Sequence, residues 1–427
     1  MILQEKSMKR ACIAALGAAL CFSHSALAAE AVTIQVATAP SIYQKTYEAL
    51  AGAFEKATPG VRIELIPAKR EDEELVQTTL RAAITGDLPD VLFVSPNLMR
   101  PLVDRALAVP LDQIGATPVA LERIGLVEGA GAVGTIDGKL YGLPFGVSTP
   151  VIAYNAELVR KAGGDPDHFP TTWPATIDLV KRISALQPDT LGGFFEYDNT
   201  GNWTYKALVA TLGGRMMQPG DRTIDFDSPA GLEALKVLHS FGEAGQGRVD
   251  MTRDQARQAF AAGKIGLLVT SSGALPGLEK LSAGAFPLRA APLPLGSANG
   301  RIPAAGTVMM VLTKDPAKQK AAWALLSFAA GPEAQTIMGT QTGLLSVNRL
   351  ALANPEQLGR LVAQRPNSQA AIDQLPRLTE WYAFPGSNSL KITAVIKEHL
   401  QSVLTLKRTP EDAMAAMKRD VQLLLPN

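Results

Sequence analysis

Aromatic side chains and amides lie together in one short segment, a mixture typical of carbohydrate binding. Residues 194–205 read FFEYDNTGNWTY, the most aromatic stretch of the chain, with Asn202 and Trp203 side by side. Aromatic faces stack on sugar rings, and amides hydrogen-bond to hydroxyl groups. Packing within a loop explains the same composition. Two interpretations of Trp203 therefore stay open: a residue that stacks on a ligand, and a core side chain.

A second group of polar residues follows a predicted strand. The sequence GKIGLLVT, residues 263–270, predicts a short buried strand, and Ser271-Ser272-Gly273 comes directly after it. In open α/β sheets, ligands bind beyond the carboxyl ends of strands, where hydroxyl and free N–H groups are available. Capping of a short following helix would account for the same serines. Ser271 is thus a candidate binding residue with a local structural alternative.

Acidic residues are concentrated at the start of another predicted helix, residues 71–84. Glu71, Asp72, Glu73 and Glu74 occupy its first turn. The helix dipole favours negative charge there, so a solvated helix start is the simpler interpretation. The alternative is that Glu73 or a neighbour faces a binding cleft.

The chain lacks the sequence motifs of common enzyme classes. The histidines that follow residue 28, His168, His239 and His399, are far apart, and no HExxH, GxSxG, P-loop or paired-cysteine motif is present. The GAGAVG sequence at residues 129–134 has the spacing of a dinucleotide fingerprint, but a turn follows it instead of a helix. We therefore expect a binding protein that is not an enzyme, with no cofactor and no metal.

The order of predicted elements indicates the fold that positions these residues. A β-branched strand at 31–37, a helix at 42–56 and a strand at 61–66 alternate as in a parallel, doubly wound α/β sheet. A chain of 427 residues exceeds one ordinary domain, since domains usually hold about 100–200 residues. The sequence thus predicts two or three α/β domains.

Three extended stretches interrupt the helical patterns and predict crossings between two lobes. Residues 138–155 (GKLYGLPFGVSTPVIAYN) combine β-branched residues with glycines and prolines, and residues 287–311 have the same character. Residues 342–347 (TGLLSV) form a third, shorter passage. Three crossings make a hinge that can close without breaking either core. We therefore expect interleaved lobes with a cleft between them.

The N-terminus has the features of a signal peptide. Lys9 and Arg10 precede an apolar run over residues 11–22, and Ala28 ends an ALA sequence suited to cleavage. We predict cleavage after Ala28 and export to the periplasm. Met8 is an alternative start of translation.

Charge and cysteine content narrow the range of partners. Cys12 and Cys21 both fall within the predicted signal peptide, so no disulfide or thiol chemistry is expected in the exported chain. Loss of residues 1–28 removes three positive charges and one negative charge, which changes the formal net charge from +1 to −1. A nearly neutral chain without a basic stripe is not expected to bind nucleic acid.

The order of several short sequences resembles that of a known family. The chain contains, in this order, GDLPDV, GKLYGLPFGVSTPVIAYN, PTTWP, FDSP, GKIGLLVTSSGAL, TGLLSV and KRTPEDA. The resemblance that they carry extends over nearly the whole exported chain. In this order they are similar to the extracellular solute-binding proteins (family 1) of ABC importers, and most resemble the glycerol 3-phosphate binders and their carbohydrate-binding relatives. The resemblance implies an interleaved, two-lobed periplasmic binding protein that delivers its ligand to ABC permease subunits and their ATPase.

The resemblance also implies a binding site. Ligand-contacting serines of the family fall on Ser148 and Ser271, a backbone glycine falls on Gly306, and a stacking tryptophan falls on Trp203. Tyr43 or Glu73 would line the side of the N-terminal lobe.

Other family positions differ in this chain. A family tyrosine falls on Asp72, a glutamate falls near Pro96, a second tyrosine is Leu344, and the arginine that helps to hold phosphate falls near Pro385. Phosphate dianions usually need charge-assisted bonds from arginine or helix N-termini. The ligand is therefore left open among sugars, polyols, glycerol 3-phosphate and glycerophosphodiesters.

One organisation is expected from these observations. Residues 1–28 are the signal peptide, 29–146 with 304–344 the N-terminal lobe, and 147–303 with 345–427 the C-terminal lobe. We expect a monomeric receptor for a carbohydrate-class solute. A signalling or chemotaxis receptor would share this fold. An exported serine hydrolase with Ser148 as nucleophile is the alternative of a different class, although the sequence shows no base partner for it.

Overall fold

Two β-sheets, each covered by helices, organise the chain into two lobes. The computed structural model describes residues 31–198 and 200–426. The predicted signal peptide, residues 1–28, lies outside the described residues together with Cys12 and Cys21.

The strands, in chain order, are β1 Val32–Thr38, β2 Val61–Leu65, β3 Val91–Val94, β4 Thr135–Ile136, β5 Lys139–Leu140, β6 Gly142–Ser148, β7 Pro150–Asn155, β8 Leu191–Phe195, β9 Ile265–Ser271, β10 Leu288–Pro292, β11 Ile302–Pro303, β12 Ala305–Val311 and β13 Leu378–Thr379.

The α-helices are α1 Gln44–Ala57, α2 Asp72–Thr85, α3 Arg100–Val103, α4 Pro118–Ile124, α5 Ala156–Lys161, α6 Trp173–Ser184, α7 Trp203–Thr211, α8 Pro229–Glu243, α9 Arg253–Ala261, α10 Leu275–Leu281, α11 Pro316–Ala329, α12 Pro332–Gln341, α13 Arg349–Ala353, α14 Arg360–Ala363, α15 Gln369–Ile372, α16 Ser389–Leu404 and α17 Pro410–Gln422.

The sheet of the first lobe has the order β2-β1-β3-β12-β6. β1 pairs in parallel with both β2 and β3, which confirms the parallel start predicted from the strand–helix–strand pattern. β12 runs antiparallel to β3 and β6, so the sheet as a whole is mixed. The reversal arises because β6 leads out of the sheet toward the second lobe, and β12 brings the chain back beside it.

The sheet of the second lobe has the order β10-β7-β9-β8. β8 and β9 are parallel, while β7 is antiparallel to both of its neighbours, β9 and β10. Every residue of β7 is buried, in keeping with its run of apolar and β-branched residues. β7 therefore lies in the middle of this lobe, directly after the crossing from the first.

The predicted crossings connect the two sheets. Thr149 is the single residue between β6 of the first sheet and β7 of the second. The chain returns between β10 and β12, and Leu345 of the third passage forms an antiparallel bridge with Val147. The buried side chain of Gln335 donates to Phe145 O at 2.6 Å and accepts from Val347 N at 3.1 Å, which ties the third passage to β6. The chain thus has the predicted two-lobed fold with a multi-strand hinge.

Each lobe has its own aromatic core. In the first lobe Phe93 lies between Tyr47 and Phe145, with ring centroids 5.4 and 5.3 Å away. In the second lobe Trp173 is 4% exposed, and its ring centroid lies 6.5 Å from that of Phe241. Burial of one such side chain contributes about 1.5–3 kcal/mol, so each lobe can hold its shape while the hinge moves.

No helix within residues 31–198 and 200–426 has both the length and the apolar character needed to cross a membrane.

Candidate ligand-binding site between the lobes

Strand registers bring three of the predicted binding positions together at the hinge. Ser148 pairs with Ala305, so Gly306 lies beside the end of β6, and Pro150 pairs with Ser271. A Cβ atom built on Gly273 would lie 3.4 Å from Ser271 Oγ and 3.8 Å from Ser148 Cβ, which places both serines around that glycine. Three elements distant in sequence therefore meet at one point.

Hydrogen bonds fix the crossing from which these residues project. Thr149 N donates to Ser272 Oγ at 3.0 Å, and Ser272 N donates to Thr149 O at 2.8 Å. Ser271 Oγ accepts from Gly273 N at 3.2 Å, so the local capping role considered for this serine is present. The Ser271 hydroxyl is partly exposed and keeps its proton for a further bond.

The first lobe presents a tyrosine and a carboxylate near the same hinge. Tyr43 precedes α1, and burial followed by the charge of Asp72 raises the pKa of its phenol. Asp72 begins α2, and its Oδ1 accepts from Ser95 N at 2.8 Å. Burial raises the Asp72 pKa to about 7, although the Ser95 bond opposes that rise. Glu73 is partly buried and adds to the negative charge around Asp72.

A cleft of about 920 Å³ opens between the lobes. The first lobe, the second lobe and the hinge all contribute to its wall. Its lining includes Arg100, Thr135 and Asp137 from the first lobe, Lys206, Ala210 and residues 213–221 from the second, and Pro303, Thr379, Glu380 and Tyr382 from the hinge strands and the segment that follows them. A polar cleft of this size accommodates a small solute.

An ion pair joins the lobes across this cleft. Arg100 Nη2 lies 2.5 Å from Asp221 Oδ2, 3.3 Å from Asp137 and, through Nη1, 3.7 Å from Asp104. The hydroxyl of Tyr382 donates to the other oxygen of Asp221 at 2.9 Å. Burial, and then the charge of Asp221, raises the Tyr382 pKa, so the phenol stays protonated as a donor.

Two tryptophans pack together beside the cleft. Trp203 is 3% exposed, and its Nε1 donates to Pro303 O at 2.8 Å. Its ring lies 5.9 Å from the ring of Trp381, with planes tilted by 47°. A Cβ on Gly201 would lie 2.9 Å from Trp381 and 3.0 Å from Asn97, so the tryptophan pair lies where the lobes touch. In this conformation Trp203 contacts Trp381 and the hinge.

The profile of the bacterial extracellular solute-binding protein family matches residues 49–366. This match covers most of the chain. The chain belongs to that family.

Known relatives of this solute-binding protein show the same architecture. The sn-glycerol-3-phosphate-binding periplasmic protein UgpB of Salmonella typhimurium is 23% identical over 396 residues, which are 89% of each chain. The cyclic alpha-maltosyl-1,6-maltose binding protein of Arthrobacter globiformis superposes with a TM-score of 0.78 at 19% identity, covering 92% of this chain and 99% of that one. UgpB of Mycobacterium tuberculosis, in complex with glycerophosphocholine, superposes with a TM-score of 0.73 at 21% identity over 92% and 98% of the chains.

Family membership confirms two sequence predictions, the resemblance and the assignment as a binding protein instead of an enzyme. Of the six predicted site residues, the structure brings Ser148, Ser271 and Gly306 together at the hinge, and none of the six lines the 920 Å³ cleft. Tyr43 stands near Asp72 in the first lobe, with Glu73 beside it, and Trp203 lies at the lobe contact. The binding role of these six residues stays a prediction.

Sequence reasoning missed several residues in and beside the solute-binding protein's cleft: Arg100, Lys206, Asp221, Glu380 and Tyr382, which line it, and Trp381, which lines a small neighbouring pocket. Four of them left a signal, at two places in the sequence. Lys206 is a single lysine in the otherwise apolar helix WTYKALVAT, where a solvated charge is unexpected. The EWY sequence at residues 380–382 places an acid beside two aromatic rings between helices, as the segment at 194–205 does.

Proposed function

We propose that this chain is the periplasmic solute receptor of an ABC importer, and that it binds a carbohydrate-class solute between its lobes. The observation that carries the proposal is the 920 Å³ cleft, to which both lobes and the hinge contribute polar and aromatic side chains. Closure around a ligand is expected when contacts come from both sides, since the ligand then has higher affinity for the closed state.

The six predicted positions are not among the residues that line this cleft, and we include them in the binding set as contacts that the solute makes when the lobes close. Ser148 and Ser271 hydrogen-bond the solute with their hydroxyls, and Gly306 does so with its backbone N–H. Trp203 supplies an aromatic face once it separates from Trp381. Tyr43 or Glu73 completes the side of the first lobe. The hinge cluster of Ser148, Ser271 and Gly306 supports this set most directly.

Partners and processing belong to the same proposal. The chain is exported, is cleaved after Ala28, works as a monomer, and releases its solute to membrane permease subunits driven by an ATPase. Names of relatives support this, since UgpB of Salmonella typhimurium is a periplasmic binding protein. Residues 29–146 with 304–344 form the proposed N-terminal lobe, and residues 147–303 with 345–427 form the C-terminal lobe.

The test begins with protein recovered from the periplasm of cells that express the full chain. N-terminal sequencing should start at residue 29. Thermal-shift and calorimetric titrations should then compare neutral sugars, polyols, glycerol 3-phosphate and glycerophosphodiesters. At least one of these should raise the melting temperature at millimolar concentration and bind with one-to-one stoichiometry. If no compound of this panel binds, the carbohydrate assignment is wrong.

A matched pair of serine variants locates the site. Ser148→Ala should weaken binding of the positive compound by about 5- to 10-fold, because one hydrogen bond contributes about 1 kcal/mol. Ser240→Ala in α8, where the hydroxyl bonds only to its own helix at Lys236 O, serves as the control. Equal affinities of both variants and the wild type would remove Ser148 from the binding set.

A further inference from the structure

Lys206 is a buried cation on the wall of the cleft. It lies in α7, whose residues 203–209 are all buried, and the lysine itself is 4% exposed. The helix begins at Trp203, within the aromatic segment 194–205. Because a lysine is rarely buried without a partner, its surroundings need an explanation.

The ammonium of Lys206 has one hydrogen-bond acceptor, which is uncharged. Nζ donates to Tyr382 O at 2.8 Å and lies 5.3 Å from the centre of the Phe384 ring. No carboxylate oxygen of residues 31–198 and 200–426 forms an ion pair with it. An ammonium has three donors, so this site leaves donors of Lys206 without an acceptor from the described chain. Desolvation on burial lowers its pKa to about 7.

Two of the three carboxylates that line the same cleft, Asp137 and Asp221, are engaged elsewhere. Asp221 and Asp137 lie 2.5 and 3.3 Å from Arg100, and Asp221 also accepts from Tyr382. Glu380 is partly buried, which raises its pKa, and the nearby charge of Arg100 opposes that rise. Arg100 thus pairs with carboxylates from both lobes. No carboxylate of residues 31–198 and 200–426 pairs with Lys206 in the same way.

We propose that Lys206 binds an anionic group of the solute, so that the ligand is an acidic carbohydrate derivative with one negative charge at this point. The inference rests on the proposed function and deepens it. Lys206 supplies one positive charge, which matches one carboxylate or one phosphate-ester oxygen of the solute.

The first experiment compares anionic ligands with their uncharged parents by calorimetry on the exported protein. The pairs are glucuronate with glucose, and a glycerophosphodiester and glycerol 3-phosphate with glycerol. The anionic member should bind at least about 10-fold more tightly than its parent. Binding of none of these compounds would overturn the proposed function as well. Binding of an uncharged member as tight as its anionic partner would overturn this inference alone.

Lys206→Met removes the charge and keeps most of the side-chain length. The variant should bind the anionic ligand about 10- to 100-fold more weakly, as expected for hydrogen bonds to a charged group, and the uncharged parent within about twofold of wild type. Its melting temperature should not fall by more than a few degrees, because an apolar residue avoids burial of an unpaired charge. Lys397→Met, an exposed lysine of α16, is the charge-matched control and should bind like wild type.

Proton uptake on ligand binding distinguishes a Lys206 that contacts the anion from a Lys206 that has only a structural role. At pH 8 part of the Lys206 population is neutral, and an anion favours its protonated form. Titrations in two buffers with different ionisation enthalpies should therefore show proton uptake by wild type, and none by Lys206→Met. The other charged or titratable groups that line this cleft are Arg100, Asp137, Arg215, Asp221, Arg301, Glu380 and Tyr382. Equal uptake by both proteins would assign the proton to one of these and overturn the proposal.

Discussion

Arg100 and Asp221 form an ion pair across the cleft, with Nη2 and Oδ2 2.5 Å apart. Arg100 belongs to α3 of the first lobe, and Asp221 to the loop between α7 and α8 of the second. Their side chains are 9% and 16% exposed, so water weakens this attraction less than at an open surface. The pair is therefore a direct energetic link between the lobes.

Asp221→Asn should favour separation of the lobes. Asp221 has a φ of 55°, which asparagine tolerates as well as aspartate, so the substitution removes charge without new backbone strain. We expect a larger radius of gyration by small-angle X-ray scattering without ligand, and a shift of the open–closed equilibrium by about 10-fold. Asp104→Asn removes another carboxylate near Arg100, 3.7 Å away in the same lobe. Equal expansion of both variants would contradict a specific role of the interlobe pair.

The pH dependence of stability should report Asp72. Burial raises its folded-state pKa from 3.8 to about 7, so between these values the folded protein holds a proton that the unfolded chain has released. Stability from this group is present at low pH and is lost as pH rises toward 7, with a slope of up to about 1.4 kcal/mol per pH unit. Urea unfolding of wild type and Asp72→Asn between pH 4.5 and 7.5 measures the difference.

As pH rises from 4.5 to 7.5, the free energy of unfolding of Asp72→Asn should increase relative to that of wild type. Glu74→Gln, an exposed residue of the same helix turn, should instead follow the pH profile of wild type. Parallel profiles of wild type and Asp72→Asn would show that the Asp72 carboxylate is not destabilised by burial.

Gly306→Ala should destabilise the hinge. Gly306 has a φ of 114°, and a Cβ there would lie 2.2 Å from Gly146 O in the neighbouring strand. Strain and overlap together should lower the free energy of unfolding by about 2–5 kcal/mol, measured in urea. Gly52→Ala in α1 is the control, since its Cβ would meet no atom within 4 Å and alanine favours helix by about 1 kcal/mol. A stable Gly306→Ala protein would contradict the close approach of β12 to β6.

The two packed tryptophans should respond differently to phenylalanine. Trp203 Nε1 donates to Pro303 O, whereas Trp381 Nε1 has no hydrogen-bond partner within residues 31–198 and 200–426. Both substitutions shrink the ring, but only Trp203→Phe removes a hydrogen bond and leaves a carbonyl without its donor. Trp203→Phe should therefore cost about 1–2 kcal/mol more than Trp381→Phe in chemical denaturation. The reverse order would contradict the bond to Pro303.

Local sequence patterns predicted the crossing and the individual elements well. Proline and glycine within a β-branched run marked residues 138–155, which form β5, β6 and β7. Ser228 precedes Pro229 at the start of α8, a pattern typical of a helix N-terminus, and its hydroxyl accepts from Gly231 N. Residues close together in the chain determine these features, so a short stretch of sequence is enough to predict them.

The walls of the cleft were not predictable in the same way. Asp221 and Tyr382 are 161 positions apart, and Lys206 and Tyr382 are 176 positions apart, yet each pair shares a hydrogen bond. Nothing near Lys206 in sequence indicates which acceptor it meets. The antiparallel direction of β12 depends on the path of the chain through the other lobe, which its own residues do not encode. The residues that reasoning from motifs missed are therefore those that come together through packing between distant parts of the chain.

The single residue between β6 and β7 limits how the two lobes can move. Thr149 is fully buried and hydrogen-bonded through both its N–H and its C=O, so the distance between the two sheets at this point is nearly constant. A connection that cannot lengthen permits rotation about itself and excludes sliding. When the lobes open, each part of the cleft should therefore widen in proportion to its distance from Thr149. Solvent and solute should enter first at the rim farthest from Thr149, and the region near Ser148 should change least.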